Sequence, residues 1–128
     1  MQAEAKGNHA LAQELFTRAW DAHQGDFEAS IAAHYVARHQ EDPASQLHWN
    51  RLALQHAEAA GGEKVQEFYP SLYLNLGWSY EVLGDLEESR RYYELAAACL
   101  DALPAGPYRE VVEKGIAAGL ERAGSNVL

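Results

Sequence analysis

The stretch YLNLGWSYEVLGDLEESRRYYELA, Tyr73–Ala96, sets Leu76-Gly77 inside an apolar helical pattern and Gly84-Asp85 seven residues later. Glycine in a helix interior costs about 1 kcal/mol relative to alanine, so Gly77 implies that another segment comes close. Gly84-Asp85 reads as punctuation: a glycine that ends one helix and an aspartate that caps the next. Glu88, three residues after Asp85, resembles the far half of a capping box. The stretch therefore predicts a helix, a tight turn and an antiparallel helix.

Working outward, the same periodicity covers the chain. Apolar residues at three- and four-residue steps predict helices near 8–24, 26–40, 43–60, 63–83, 86–103 and 107–123. Gly25-Asp26, Asp42-Pro43, Gly61-Gly62, Gly84-Asp85 and Pro104-Ala105-Gly106-Pro107 separate them. Asp42 suits a cap and Pro43 a first helical turn. Pro70 interrupts the fourth pattern: either a short helix ends at Tyr69 and a new one starts at Pro70, or one long helix kinks there, and the long kinked helix is the favoured reading. Sustained strict alternation is missing, so strands are not expected. Short loops between amphipathic helices imply antiparallel neighbours, and 128 residues suit one helical domain spanning 1–128.

An internal repeat is visible at an offset of 43 residues: Ala53 falls on Ala96, Asn50 on Tyr93 and Gln46 on Ser89. The second and third helices form one hairpin, and the fourth and fifth form the next. The first helix reads as the second half of an earlier hairpin, with Ala19 in the place of Ala53 and Ala96. The sixth reads as the first half of a later hairpin or as a cap.

Tyr73, Leu76, Gly77, Tyr80, Gly84, Ser89, Tyr93 and Ala96 together resemble the signature of a tetratricopeptide repeat, W-x2-L-G-x2-Y followed by A-x3-F. Ala33 and His34 stand where the earlier hairpin would have leucine and glycine. The offset exceeds the usual repeat of about 34 residues and is similar to longer-helix variants in bacterial regulatory proteins. The resemblance implies an all-α, short right-handed solenoid of about six helices, as in a small bacterial member of that family. It also implies that Gly77 approaches the paired helix at Ala96, with Tyr80 and Tyr93 filling the space around the contact. Gly77→Leu would then overpack the pair.

By the same resemblance, the first helix of each hairpin lines a concave face. The implied partner-binding residues are Glu28, Ile31, Tyr35, Arg38 and His39 from the second helix, and Leu74, Asn75, Trp78 and Glu81 from the fourth. Tyrosine, tryptophan and arginine are enriched at binding hot spots. Asn75 could hydrogen-bond a peptide backbone, and Arg38 could grip a carboxylate. Arg38 is the only basic residue of the set, so the lysine-rich carboxylate clamp of chaperone-binding members is missing. The alternative reading packs Tyr35 and Trp78 against the terminal helices.

Composition narrows the classes. The formal net charge is −9, which disfavours nucleic acid and anionic membranes as partners. A single cysteine, Cys99, permits no internal disulfide and suits a reducing cytoplasm. An apolar leader and a spanning segment of about 20 apolar residues are both missing. Six histidines, His9, His23, His34, His39, His48 and His56, lack the four-residue spacing of a helical zinc pair. Cys99 lies in an apolar run, where a thiol acts as a small hydrophobe. Phosphate loops and nucleophile motifs do not occur, so catalysis, a metal and a cofactor are not expected. Gly115 and Gly119 read as close packing of the last helix on the fifth.

The sequence thus predicts a cytoplasmic, non-catalytic interaction module or scaffold that binds a protein or peptide segment. One alternative is a homodimer that covers exposed terminal faces. Another is a small-molecule sensor or enzyme with a histidine- and tyrosine-lined pocket.

Overall fold

A computed structural model describes residues 9–22 and 25–124. The described residues form seven α-helices and one 3₁₀ turn, with no strand. They are α1 (His9–Asp21), α2 (Asp26–Arg38), α3 (Pro43–Ala60), α4 (Glu63–Gln66), α5 (Tyr69–Val82), α6 (Leu86–Ala98) and α7 (Pro107–Arg122), with the 3₁₀ turn at Leu100–Ala102. His23 lies outside the described residues. None of these helices is long and apolar enough to cross a membrane.

Two boundaries differ from the sequence pattern. The kinked helix expected over 63–83 is instead two helices, α4 and α5. In a continuous helix the residue-70 amide would bond the carbonyl of Gln66, and Pro70 has no N–H. The ladder stops at Gln66, a turn intervenes, and Pro70 sits in the first turn of α5, where a missing donor costs little. The helix expected over 86–103 ends at Ala98. Beyond it Ala102 and Leu103 bond three residues back, to the carbonyls of Cys99 and Leu100, which is the tighter 3₁₀ pattern common at helix ends.

The chain divides into two compact units, Met1–Ala60 and Gly61–Leu128. In the first, α2 and α3 meet through small residues. Ala29, Ala33, Ala37, Ala53 and Ala57 are buried, and the Ser30 hydroxyl donates to the Ala53 carbonyl at 2.7 Å, which requires the α2 side chain to reach the α3 backbone. Asp42 caps α3 by accepting from the Ser45 amide at 3.1 Å. Helix α1 joins through Ala12 and Phe16 packed with Val36, Trp20, Tyr35 and Trp49. Trp20 meets Trp49 edge-on at 5.2 Å, and His56 pairs with Asp26 at 2.8 Å.

The second unit is organised around Tyr93, which is fully buried. It clusters with Ala96, Leu100, Leu103, Val112, Ile116 and Leu120. The turn between α5 and α6 is a Schellman motif: the Asp85 amide bonds the Tyr80 carbonyl at 2.9 Å and the Gly84 amide bonds the Glu81 carbonyl at 3.1 Å. Gly84 holds φ at +88°, where a Cβ costs about 1–2 kcal/mol. Gly84→Ala is expected to lower stability by about 1 kcal/mol, read as a drop of several degrees in the thermal midpoint by circular dichroism; an unchanged midpoint would contradict the turn assignment. Asp85 caps α6 by accepting from the Glu88 amide at 3.2 Å. The reciprocal half of the box does not form. The Asp85 amide is already used by Tyr80, and the Glu88 carboxylate pairs with Arg91 at 3.1 Å.

Gly77 does approach the paired helix, but the atoms nearest it differ from expectation. A Cβ built on Gly77 would lie 2.6 Å from the Tyr93 ring. One built on Gly119 of α7 would lie 2.5 Å from the same ring. Tyr93 is therefore held between two glycines on different helices, and Ala96 belongs to the apolar cluster beyond it. Gly115 faces Leu74 of α5. Ser89 donates to the Gly77 carbonyl at 2.7 Å, fastening α6 to α5.

Candidate functional site

Of the residues singled out in the sequence, Glu28, Ile31, Tyr35 and Arg38 lie along one stripe of α2, with Glu28 and Arg38 exposed and Ile31 and Tyr35 half-buried, whereas His39 caps the end of the helix and is buried rather than open to a partner. Glu28, Ile31 and Tyr35, with Ala32, form one wall of an apolar groove of about 430 Å³. The opposite wall is α1, which contributes Phe16 and Ala19, with Ala22 just beyond its end. Tyr35 lies flat on Phe16 with ring centroids 4.6 Å apart. Phe16 is buried and backs the half-buried Tyr35 ring along the groove.

Arg38 and His39 continue the stripe into an adjoining cavity of about 330 Å³, shared with Ala10, Gln13, Gln40 and Glu41. Phe16 links the two spaces, because its ring also stacks on His39 at 5.6 Å. The Arg38 guanidinium lies 5.8 Å from the centre of the Tyr35 ring, within cation–π range. His34, one residue before Tyr35, is held below its ordinary pKa by burial first and by the charge of Arg38 second. At neutral pH it is therefore a neutral ring beside the guanidinium.

In the second unit the residues singled out on α5 meet α7. The Arg122 side chain donates from Nε to Glu81 Oε2 at 2.7 Å, and its guanidinium lies 5.5 Å from the Trp78 ring centre. The Tyr93 hydroxyl donates to Glu81 Oε1 at 2.8 Å. Glu81 is thus engaged in joining α5, α6 and α7. Trp78 stays half exposed, Leu74 packs into the core, and Asn75 is partly buried. In this unit Leu74, Trp78 and Glu81 each touch or approach the last helix. Tyr35 likewise packs on the first helix while still lining the groove.

Burial pushes the Cys99 thiol up, and its Sγ lies 3.6 Å from the Ala96 carbonyl, a setting that suppresses the nucleophilic thiolate. Among the described residues no three of His, Cys, Asp and Glu converge as metal ligands. The α1 wall of the groove was missed in the sequence because Phe16 and Ala19 belong to a stripe that reads as core. The signal available was the smallness of Ala19 and Ala22 opposite the large Ile31 and Tyr35. Compared with family models, curated proteins and solved structures, the chain matches none.

Proposed function

We propose that the chain is a tetratricopeptide-like, non-catalytic interaction module that takes a peptide segment of a partner protein into the seam between α1 and α2. The observation that carries this reading is the groove itself. Among the described residues that line it, Phe16, Ala19, Ala22, Ile31, Ala32 and Tyr35 are apolar or aromatic, and Glu28 carries a charge. A volume near 430 Å³ falls in the range of ligand-holding clefts, about 300–1,000 Å³. Aromatic walls around a desolvated centre are the usual composition of an interface hot spot. The repeat reading is supported by burial at paired positions: Ala53 and Ala96 are both fully buried, and Asn50 and Tyr93 are both buried.

The test is selection from a random-peptide library displayed on phage, with wild type beside Ile31→Glu. Ile31 lines the groove and is only partly buried, so a carboxylate there should leave the helices intact while placing charge on the floor. Wild type is expected to enrich peptides with an apolar run, and Ile31→Glu to weaken them by about tenfold or more. Absence of enrichment, or equal binding by both proteins, would remove the groove from consideration.

A further inference from the structure

One face of the second unit is two helices wide and apolar. Helices α5 and α7 lie side by side along it. The Ser71 and Tyr108 hydroxyls are hydrogen-bonded, Leu74 meets Gly115, and the Arg122 guanidinium lies over the Trp78 ring. Residue numbers rise together on both helices through these three contacts, so the helices run in the same direction. The outward stripe of α5 is Ser71, Trp78 and Val82, and that of α7 is Tyr108, Val111 and Ala118. Steps of three, four and seven residues keep each set on one side of its helix. Trp78 is 50% exposed, Val82 47%, Tyr108 59% and Val111 67%.

The bulk on this face is distributed diagonally. At the end where α5 and α7 begin, α7 contributes Tyr108 and Val111 while α5 contributes Ser71. At the far end α5 contributes Trp78 and Val82, while α7 contributes Ala118, one turn before the Arg122 that covers Trp78. Large side chains thus occupy two opposite corners, and small ones occupy the other two.

From this pattern we infer that the α5–α7 face is the contact surface of a symmetric homodimer, its occupant being a second copy of this chain. In a two-fold dimer one patch serves both partners and must complement itself. Two faces pressed together are related by an axis lying in their common plane. An axis along the helices, or one across them, sets each corner of the patch against an adjacent corner of the copy. With bulk on one diagonal, every large side chain then meets a small one. The available area suits such a pair. The exposed parts of two rings and two valines amount to about 300 Å² of apolar surface. Smaller specific interfaces bury about 600 Å² per partner, a little over half of it apolar. The face therefore matches a modest dimer, with a dissociation constant on the order of 10 μM.

Ion pairing does not hold the two copies together. Arg122 and Glu81, at the far end of the face, are bonded to each other at 2.7 Å. Each chain carries −9, so two copies repel at long range. Apolar burial and fit must outweigh that repulsion, and salt, which screens it, should tighten the dimer.

Sedimentation-velocity ultracentrifugation of the full chain, from about 1 to 500 μM, spans the expected dissociation constant. Wild type is expected to pass from monomer to dimer near 10 μM, and the constant should fall by about threefold between about 0.05 and 0.5 M salt. Val111→Glu should raise it at least about tenfold. Ala117→Glu adds the same charge on another exposed side of α7 and should leave it unchanged. Ala118→Phe is the sharper test. It enlarges the apolar patch but fills the small corner that either axis requires, so it should weaken the dimer by about tenfold. Circular dichroism melts confirm that each variant is folded. A chain that stays monomeric at every concentration overturns the inference, whatever foreign helix or peptide the face then takes. A dimer that Val111→Glu leaves intact lies elsewhere and overturns it too. So does a dimer that Ala118→Phe strengthens, since that is apolar adhesion without fit, or one that salt weakens. The groove between α1 and α2 contains none of these residues, so the library selection with Ile31→Glu stands or falls separately.

Discussion

Gly119→Ala is expected to destabilise the second unit by about 2 kcal/mol, a large effect for one methyl group. Two terms compete. Alanine is the better helix former by about 1 kcal/mol, so at an ordinary helical position the change would stabilise. Here the new Cβ would sit 2.5 Å from Cε1 and Cζ of Tyr93, far inside van der Waals contact. The ring has little room to yield. Gly77 backs it on α5, with a built Cβ at 2.6 Å, and its hydroxyl is tied to Glu81 and approached by Arg122 at 3.4 Å. Overpacking of this kind costs about 1–3 kcal/mol and more where neighbours cannot shift, so the steric term wins. Urea denaturation followed by circular dichroism reads the loss as a lower midpoint at unchanged slope. A double-mutant cycle supplies the mechanism. Gly119→Ala placed on a Tyr93→Leu background should be nearly neutral or stabilising, because the ring that obstructs the methyl is gone. If the alanine costs as much on that background, the close approach is not what makes Gly119 necessary. Gly77→Ala should behave the same way, since it meets the same ring from another helix.

What could be read in the sequence was what local chemistry encodes. Asp42 and Asp85 were identifiable as caps, and Gly84 as a turn, because each acts on backbone groups within three or four residues of itself. Gly77 could be recognised as a contact point because its cost in a helix demands a reason. The G-x-x-x-G of Gly115 and Gly119 announced a packed face for the same cause. That Gly77 and Gly119 enclose one tyrosine ring could not be read, since it depends on three helices meeting. Nor could the pairing of Glu81 with Arg122, 41 residues apart, which leaves no periodic trace. The candidate site was half legible: the α2 stripe is an ordinary helical pattern, whereas its opposite wall on α1 looks like core until the helices are packed. Pro70 was seen, but whether a proline kinks or breaks a helix depends on what surrounds it.

The contact that joins α5, α6 and α7 should write itself into the pH dependence of stability at both extremes. Tyr93 donates its hydroxyl to Glu81, and Arg122 holds the same carboxylate at 2.7 Å. Burial of the ring and the hydrogen bond to the Glu81 carboxylate together outweigh the guanidinium and push the Tyr93 hydroxyl from 10.0 up to about 12. A folded-state pKa above the unfolded value means that this contribution is complete below pH 10 and is lost as pH rises through about 12. Glu81 lies on the other side. Burial alone would raise it, but hydrogen bonds from Arg122 and Tyr93 and the charge of Arg122 hold it below its ordinary 4.5. Its contribution is present above that value and lost as the pH falls below it. Glu81 is 18% exposed, so removing it strands a buried hydroxyl, and Glu81→Ala should cost about 2 kcal/mol at neutral pH. Tyr93→Phe should cost less, because Glu81 keeps Arg122. Urea midpoints measured across pH give the signature. The gap between wild type and Glu81→Ala should narrow as acid protonates the carboxylate below its ordinary range. The gap between wild type and Tyr93→Phe should narrow between pH 10 and about 12. Absorbance of the phenolate adds a direct readout, since one of the seven tyrosines should ionise only as the protein unfolds. Parallel pH profiles for all three proteins would mean that the pairing contributes no net stability. The three helices would then be joined by the packing of Tyr93 between two glycines, the Ser89–Gly77 hydrogen bond and the surrounding apolar cluster alone.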